Sequence, residues 1–320
     1  MMTEFGAEGT RSGSPLLATA VQHPFTDADA DLVLRASDSL EFRVYKVILA
    51  KASTVFHDMF SLATPRPSTL PKEDAPPFKD GLPVVDVAED GRTVEMTLRF
   101  CYPMEDPELA TFEDAERMLE AGMKYDVDII VTRAKKALAV IAEREALRVF
   151  VLGVRLSTRD VGLMAARKSL SQPMWSTEPP FPPDLKYISA VTFCQLLNYR
   201  RKCGEAAAAL SMECGWIEDA SIVVVCSACS PSRTFRYQSG GKLPAAKWYA
   251  SYMERAAAAL RDRPFGQAVL DPYMLEHTLL IASQCSLCGS CALVSLSKLS
   301  RKLAEEVEKA VDRVSLELDF

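Results

Sequence analysis

At 320 residues the chain has room for about two domains of ordinary size. Its 48% hydrophobic and 25% charged content is that of a globular protein with real cores, which excludes global disorder. A formal charge of −6 lacks the basic footprint of a nucleic-acid protein or of one that adheres to anionic membranes. No stretch approaches the ~20 apolar residues that span a bilayer.

Glu4 and Glu8 precede any apolar segment, and the short run around Leu16 to Val21 lacks a basic flank. A secretory leader is therefore not expected, and the reading is an intracellular protein, cytoplasmic or nuclear. In that setting the nine cysteines read as reduced thiols or metal ligands rather than disulfides.

Residues 1–22 are rich in Gly, Ser, Thr and Ala without a period and read as a disordered tail. Asp31 to Ser37 and Glu41 to Val44 alternate apolar and polar residues around Asp38-Ser39, which predicts a β-hairpin. Val47 to Ala52 and Ser53 to Ser61 read as two short helices, the second capped by Ser53. Thr64 to Phe78 holds Pro65, Pro67, Pro71, Pro76 and Pro77 and predicts an exposed loop. Pro83 to Val87 reads as a buried strand. Asp90 caps a helix with Val94, Leu98 and Cys101 inward, ended by Pro103.

Helical periods continue. Thr111 to Asp114 has the spacing of a capping box, followed by an inward stripe of Ala115, Met118, Leu119, Gly122 and Met123. Further stripes are Ile130, Ala134, Leu138 and Ile141, then Leu147, Phe150, Val151 and Val154, then Leu163, Ala166 and Leu170. Pro173 to Pro183 breaks the pattern, although Trp175 and Phe181 within it call for burial. Helices return at Ser189 to Leu210, Lys247 to Leu260 and Leu293 to Val314. The last of these faces Leu296, Leu299, Leu303, Val307, Ala310, Val311 and Val314 inward.

The residues of the first block sharpen its order of elements. Asp29 to Leu34 leads into the hairpin, and Phe42-Arg43-Val44-Tyr45-Lys46-Val47-Ile48-Leu49-Ala50 and Ser53 to Phe60 follow it. Leu98-Arg99-Phe100-Cys101-Tyr102-Pro103 closes a helix, and Leu119 to Tyr125 sits in the next. This block resembles a BTB/POZ domain of the fungal type. The resemblance implies an α+β domain, a small sheet plus helices, over residues 23–141. Its expected core is Leu32, Leu34, Val44, Leu49, Phe56, Met59 and Phe60. It also implies protein–protein interaction, with a homodimer or a cullin-type ubiquitin ligase among the partners. The hydrophobic-x-Glu contact motif of cullin adaptors is not found in the Pro-rich loop. Glu145 to Phe150 and Ala165 to Leu170 are similar to the BACK-like helical extension that follows such domains, expected over 142–210. The remainder, 211–320, reads as a mostly α-helical, Cys-rich module.

Cys226-Ser227-Ala228-Cys229 is one CxxC, and Cys285-Ser286-Leu287-Cys288 is a second. Two such pairs supply the four soft ligands of a tetrahedral Zn²⁺ site. Cys226, Cys229, Cys285 and Cys288 are the candidate ligands of a structural zinc clip. Cys291, Cys214 and His277 stand in reserve, and Cys101 and Cys194 read as buried free thiols. The other reading of Cys226-x-x-Cys229 is a thiol oxidoreductase, since apolar Ile222 to Val225 leads into it. That chemistry wants a helix directly after the first cysteine, and Pro231, Ser232, Gly240 and Gly241 follow instead. His23, His57 and His277 make no catalytic arrangement in the sequence, and no phosphate-binding glycine loop occurs. Tyr199 to Lys202 reads as a basic run near a helix C-terminus. The expected protein is a non-catalytic interaction scaffold. The alternatives are a cullin substrate adaptor or a thiol oxidoreductase.

Overall fold

In a computed structural model of the chain, the described residues are 24–62, 78–173, 175, 182–212, 215–217, 222, 224–229, 234–236 and 242–318. The expected N-terminal tail, the Pro-rich stretch up to residue 77, Phe181 and Cys214 lie outside them. The chain forms two compact units. One holds the residues up to Pro107 together with Lys124–Val127, and the other holds Glu108–Met123 and everything from Asp128.

The first unit is built on a hairpin. Strands β1 (Leu32–Arg35) and β2 (Glu41–Val44) pair antiparallel, with Leu32 opposite Val44 and Leu34 opposite Phe42. The period of two puts these four side chains on one face, and all four are buried. Ser39 takes a positive φ of 68° in the turn. The chain then crosses over through helices α1 (Lys46–Ala52) and α2 (Thr54–Leu62). It returns in β4 (Leu82–Asp86), parallel to β1 through Val33 and Val84. A parallel return needs such a crossover. Strand β3 (Phe78–Lys79), whose first residue was expected to end the Pro-rich loop, pairs with β4 to give the order β2-β1-β4-β3. Its signal was Asp80-Gly81, whose φ values of 52° and 80° make the two-residue turn that joins hairpin strands.

Helix positions follow from their caps. Ser53 accepts the Phe56 amide at 3.0 Å and donates to the Tyr125 carbonyl. Asp90 accepts the Thr93 amide at 2.8 Å and starts α3 (Gly91–Cys101). Leu49 and Phe56 are buried, whereas Met59 and Phe60, expected in the core, are half-buried near the end of α2. Phe56 stacks on Tyr125 at 4.8 Å and on Phe60 at 5.8 Å. Glu89 accepts from the Tyr125 hydroxyl and the Lys124 ammonium, both at 2.5 Å.

The second unit is helical. In α4 (Phe112–Lys124) Thr111 accepts the Asp114 amide at 3.1 Å. The inward stripe there is Ala115, Met118, Leu119 and Gly122 with Ala121; Met123, expected inward, is 44% exposed. Helix α5 (Asp128–Arg155) joins two expected stripes across a kink at Glu145, where φ and ψ are −120° and 41°. It packs on α6 (Arg159–Ser169) through a close glycine contact: a Cβ on Gly153 would lie 2.5 Å from the Gly162 amide nitrogen.

Helix α7 (Ala190–Ala209) starts at Ser189, which accepts the Thr192 amide. Arg200, read from the sequence as part of a basic run near a helix C-terminus, is mid-helix and only 1% exposed. Its guanidinium donates to the carbonyls of Ser169 and, at 2.8 Å, Gln172, and lies over the half-buried Trp175 ring. It thereby adds a donor to carbonyls at the end of α6, where Ser169 also accepts the Gln172 amide at 3.1 Å. Strands β5 (Thr234–Arg236) and β6 (Lys242–Pro244) form a small antiparallel ribbon. Helices α8 (Lys247–Asp262), α9 (Pro272–Ser283) and α10 (Ser286–Asp312) complete the unit.

Candidate metal centre

Two corners of the second unit carry the paired cysteines. Val225 makes a single antiparallel bridge to Ala245, and the Ala246 amide donates to the Val224 carbonyl at 2.7 Å. That fixes the chain immediately before Cys226 against the start of α8, where Trp248 is buried. The second pair occupies the corner between α9 and α10. Cys285 is the residue before α10, and the Gly289 amide closes the first turn onto its carbonyl at 2.8 Å. Cys288 lies within that turn and is 2% exposed.

These corners bring the four sulfurs together. Cys226 Sγ lies 3.8 Å from Cys285 Sγ, and Cys229 Sγ lies 3.5 Å from Cys288 Sγ. All four lie within 4.8 Å of one another. Each short contact joins one pair to the other, across 59 positions of sequence. The quartet closes without Cys291 and His277. Cys291 contacts the carbonyls of Leu287 and Cys288 at 3.5 and 3.6 Å. His277 sits on α9, where its Nε2 accepts from Arg255 at 2.9 Å.

The local electrostatics favour one thiolate, Cys226. Burial opposes ionisation of Cys226, but the amides of Ala228 and Cys229, with the thiols of Cys288 and Cys229, outweigh it and bring the thiol down to about 7. The Lys247 amide favours the Cys229 thiolate, yet burial and the thiols of Cys285 and Cys226 leave that group raised. Burial and its three neighbouring thiols push Cys288 up. Four thiols this close cannot all ionise without a cation among them, because like charges penalise one another. The N-terminus of α10 and the amide donors supply part of the compensating field. Four sulfurs so arranged could hold one soft metal ion.

A cavity of about 220 Å³ opens beside the quartet, lined by Val225, Cys226, Trp248, Leu287, Cys288 and Cys291 among others. Three other thiols among the described residues lie elsewhere. Cys101 is half-buried, and burial raises it to about 12. Cys194, expected to be buried, is exposed on α7. Cys203 is buried on that helix and pushed up to about 11, chiefly by that burial.

The start of α10 departed from expectation. The helix begins at Ser286, seven residues before Leu293, so Cys288 and Cys291 are helical rather than in a loop. The inward row runs Cys288, Ala292, Leu296, Leu299 and Leu303. Treating Cys288 and Ala292 as small apolar residues would have extended the stripe to the cysteines.

A small mixed sheet closed by helices, followed by helices that carry a four-sulfur cluster, describes the class of architecture. Residues 23–141 match the family model of the BTB/POZ domain, and this part of the chain is a BTB domain with a small sheet plus helices. BTB/POZ domains mediate protein–protein interaction and dimerisation. The match ends inside α5, four residues before its kink. No curated protein matches the chain. Among the described residues no helix is long and apolar enough to cross a membrane.

Proposed function

We propose that the protein is a non-catalytic interaction scaffold. Its BTB domain presents the partner surface, and a structural Zn²⁺ held by Cys226, Cys229, Cys285 and Cys288 closes the C-terminal region. The observation that carries the metal reading is the sulfur spacing. A tetrahedral ion with Zn–S bonds of about 2.3 Å sets its ligands about 3.8 Å apart, and the two cross-pair distances are 3.8 and 3.5 Å. In this reading the domains run 23–141 for the BTB unit, 142–210 for a BACK-like extension and 211–320 for the zinc-closed module. The bound ion supplies no reaction. It joins two distant segments and so contributes folding energy directly.

Elemental analysis of the purified full chain tests this. The expected result is about one zinc per chain, lost in Cys229→Ser and retained in Cys291→Ser. A metal-free chain with a reversible Cys226–Cys229 disulfide would support the thiol oxidoreductase instead. A cullin pull-down with the full chain tests the adaptor reading, and no capture counts against it.

A further inference from the structure

Helix α9 is apolar nearly all round: its sequence is Pro-Tyr-Met-Leu-Glu-His-Thr-Leu-Leu-Ile-Ala-Ser. A helix of that kind is normally covered on every side, yet only Thr278 and Ala282 are fully buried. Tyr273 is 82% exposed and Leu280 is 61% exposed. Both line an open groove of about 570 Å³ between α8 and α9, with Arg255, Ala258, Met274 and Glu276 among its other walls.

The charges along that groove indicate the occupant. Arg255 contacts His277 Nε2 and, among the described residues, forms no ion pair. Arginine has only donors, so His277 Nε2 accepts there. Glu276 is exposed and likewise forms no ion pair among the described residues. Asp271 spends a carboxylate oxygen on the Met274 amide at 3.0 Å. One groove therefore carries an unmatched cation, an unmatched anion, an exposed aromatic knob and an apolar floor.

We propose that this face pairs with the same face of a second copy of the chain. A two-fold axis through the groove makes each contact reciprocal. Arg255 of one copy meets Glu276 of the other, and the Tyr273 ring of each enters the other's groove. Tyrosine is the residue type such contacts favour, because it buries a large rigid ring and keeps its hydroxyl wet. The surface lies outside residues 23–141, so this association is separate from any dimer the BTB domain makes.

Sedimentation equilibrium of the full chain tests it. Tyr273→Glu and Arg255→Glu are each expected to weaken one association step by about tenfold or more, with far-UV circular dichroism unchanged because both positions are exposed. The double variant Arg255→Glu/Glu276→Arg is expected to restore that step to within about threefold. If Tyr273→Glu perturbs the fold, Leu280→Glu is used in its place. A wild-type chain that associates no more than Tyr273→Glu overturns the proposal. So does a double variant as weak as Arg255→Glu alone. A wild-type chain that stays monomeric at about 100 μM overturns it as well, leaving the face to a foreign partner.

Discussion

The hairpin of the first unit and the cysteine corner of the second are held in different ways. β1 and β2 are joined by a short turn, and four paired residues, Leu32, Leu34, Phe42 and Val44, go straight into the core. The segment carrying Cys226 and Cys229 is held, among the described residues, at the start of α8: by the Val225–Ala245 bridge, the Ala246 amide on Val224 and the Lys247 amide on Cys229. What brings it to α10 is a set of sulfur contacts spanning 59 positions. Near neighbours in sequence close cheaply, whereas a loop of that length carries an entropic cost that local burial must offset. The comparison teaches where each region's stability resides: apolar area in the sheet and, in the proposed reading, a metal cross-link in the corner.

Substitutions should separate the two. Cys226→Ser has the largest expected effect. A zinc held only by the folded chain, as proposed, adds its binding free energy to stability, on the order of 10 kcal/mol at a structural site, and losing one of four ligands removes a large part of that. Thermal unfolding followed by Trp fluorescence should report it, because Trp248 lies beside the site. Leu34→Ala comes next, with an expected loss of about 3 kcal/mol from transfer and cavity terms. Denaturant unfolding measures that loss, and the zinc content of the variant should be unchanged. Arg200→Ala uncovers the carbonyls of Ser169 and Gln172 at the end of α6 and should cost about 2 kcal/mol in the same assay.

Glu89→Gln is the smallest, at about 1 kcal/mol. Burial disfavours the Glu89 carboxylate, but hydrogen bonds from Lys124 and Tyr125 outweigh that and lower its pKa. A carboxyl lowered on folding stabilises above its unfolded value and ceases to do so as pH falls through the folded one. The wild-type advantage over Glu89→Gln should therefore be full at pH 7 and vanish on acidification below about pH 4.

Much of the BTB domain was legible because its signals are local. Alternation gave the hairpin, and Ser53 and Asp90 gave two helix starts. The strand at Phe78 was hidden by the prolines before it, although Asp80-Gly81 announced the turn. Arg200 was placed near a helix C-terminus, because nothing local in a basic run shows that its guanidinium will meet the carbonyls of Ser169 and Gln172. The candidate ligands stood out as two CxxC pairs, since thiol spacing is a local signal. Their meeting was not local: it depends on the α9–α10 corner, where Ser286 to Ala292 is too small and polar to show a helical stripe. The unpaired groove on α9 left no periodic trace either, because its apolar residues surround the helix.

Hydrogen exchange of the full chain, with and without a zinc chelator, tests the cross-link most directly. The account predicts that chelation strips protection from amides at 224–229, the first turns of α8 and the start of α10, while β1, β2 and α3 keep theirs. Unchanged protection in those C-terminal segments after the metal is removed would contradict it.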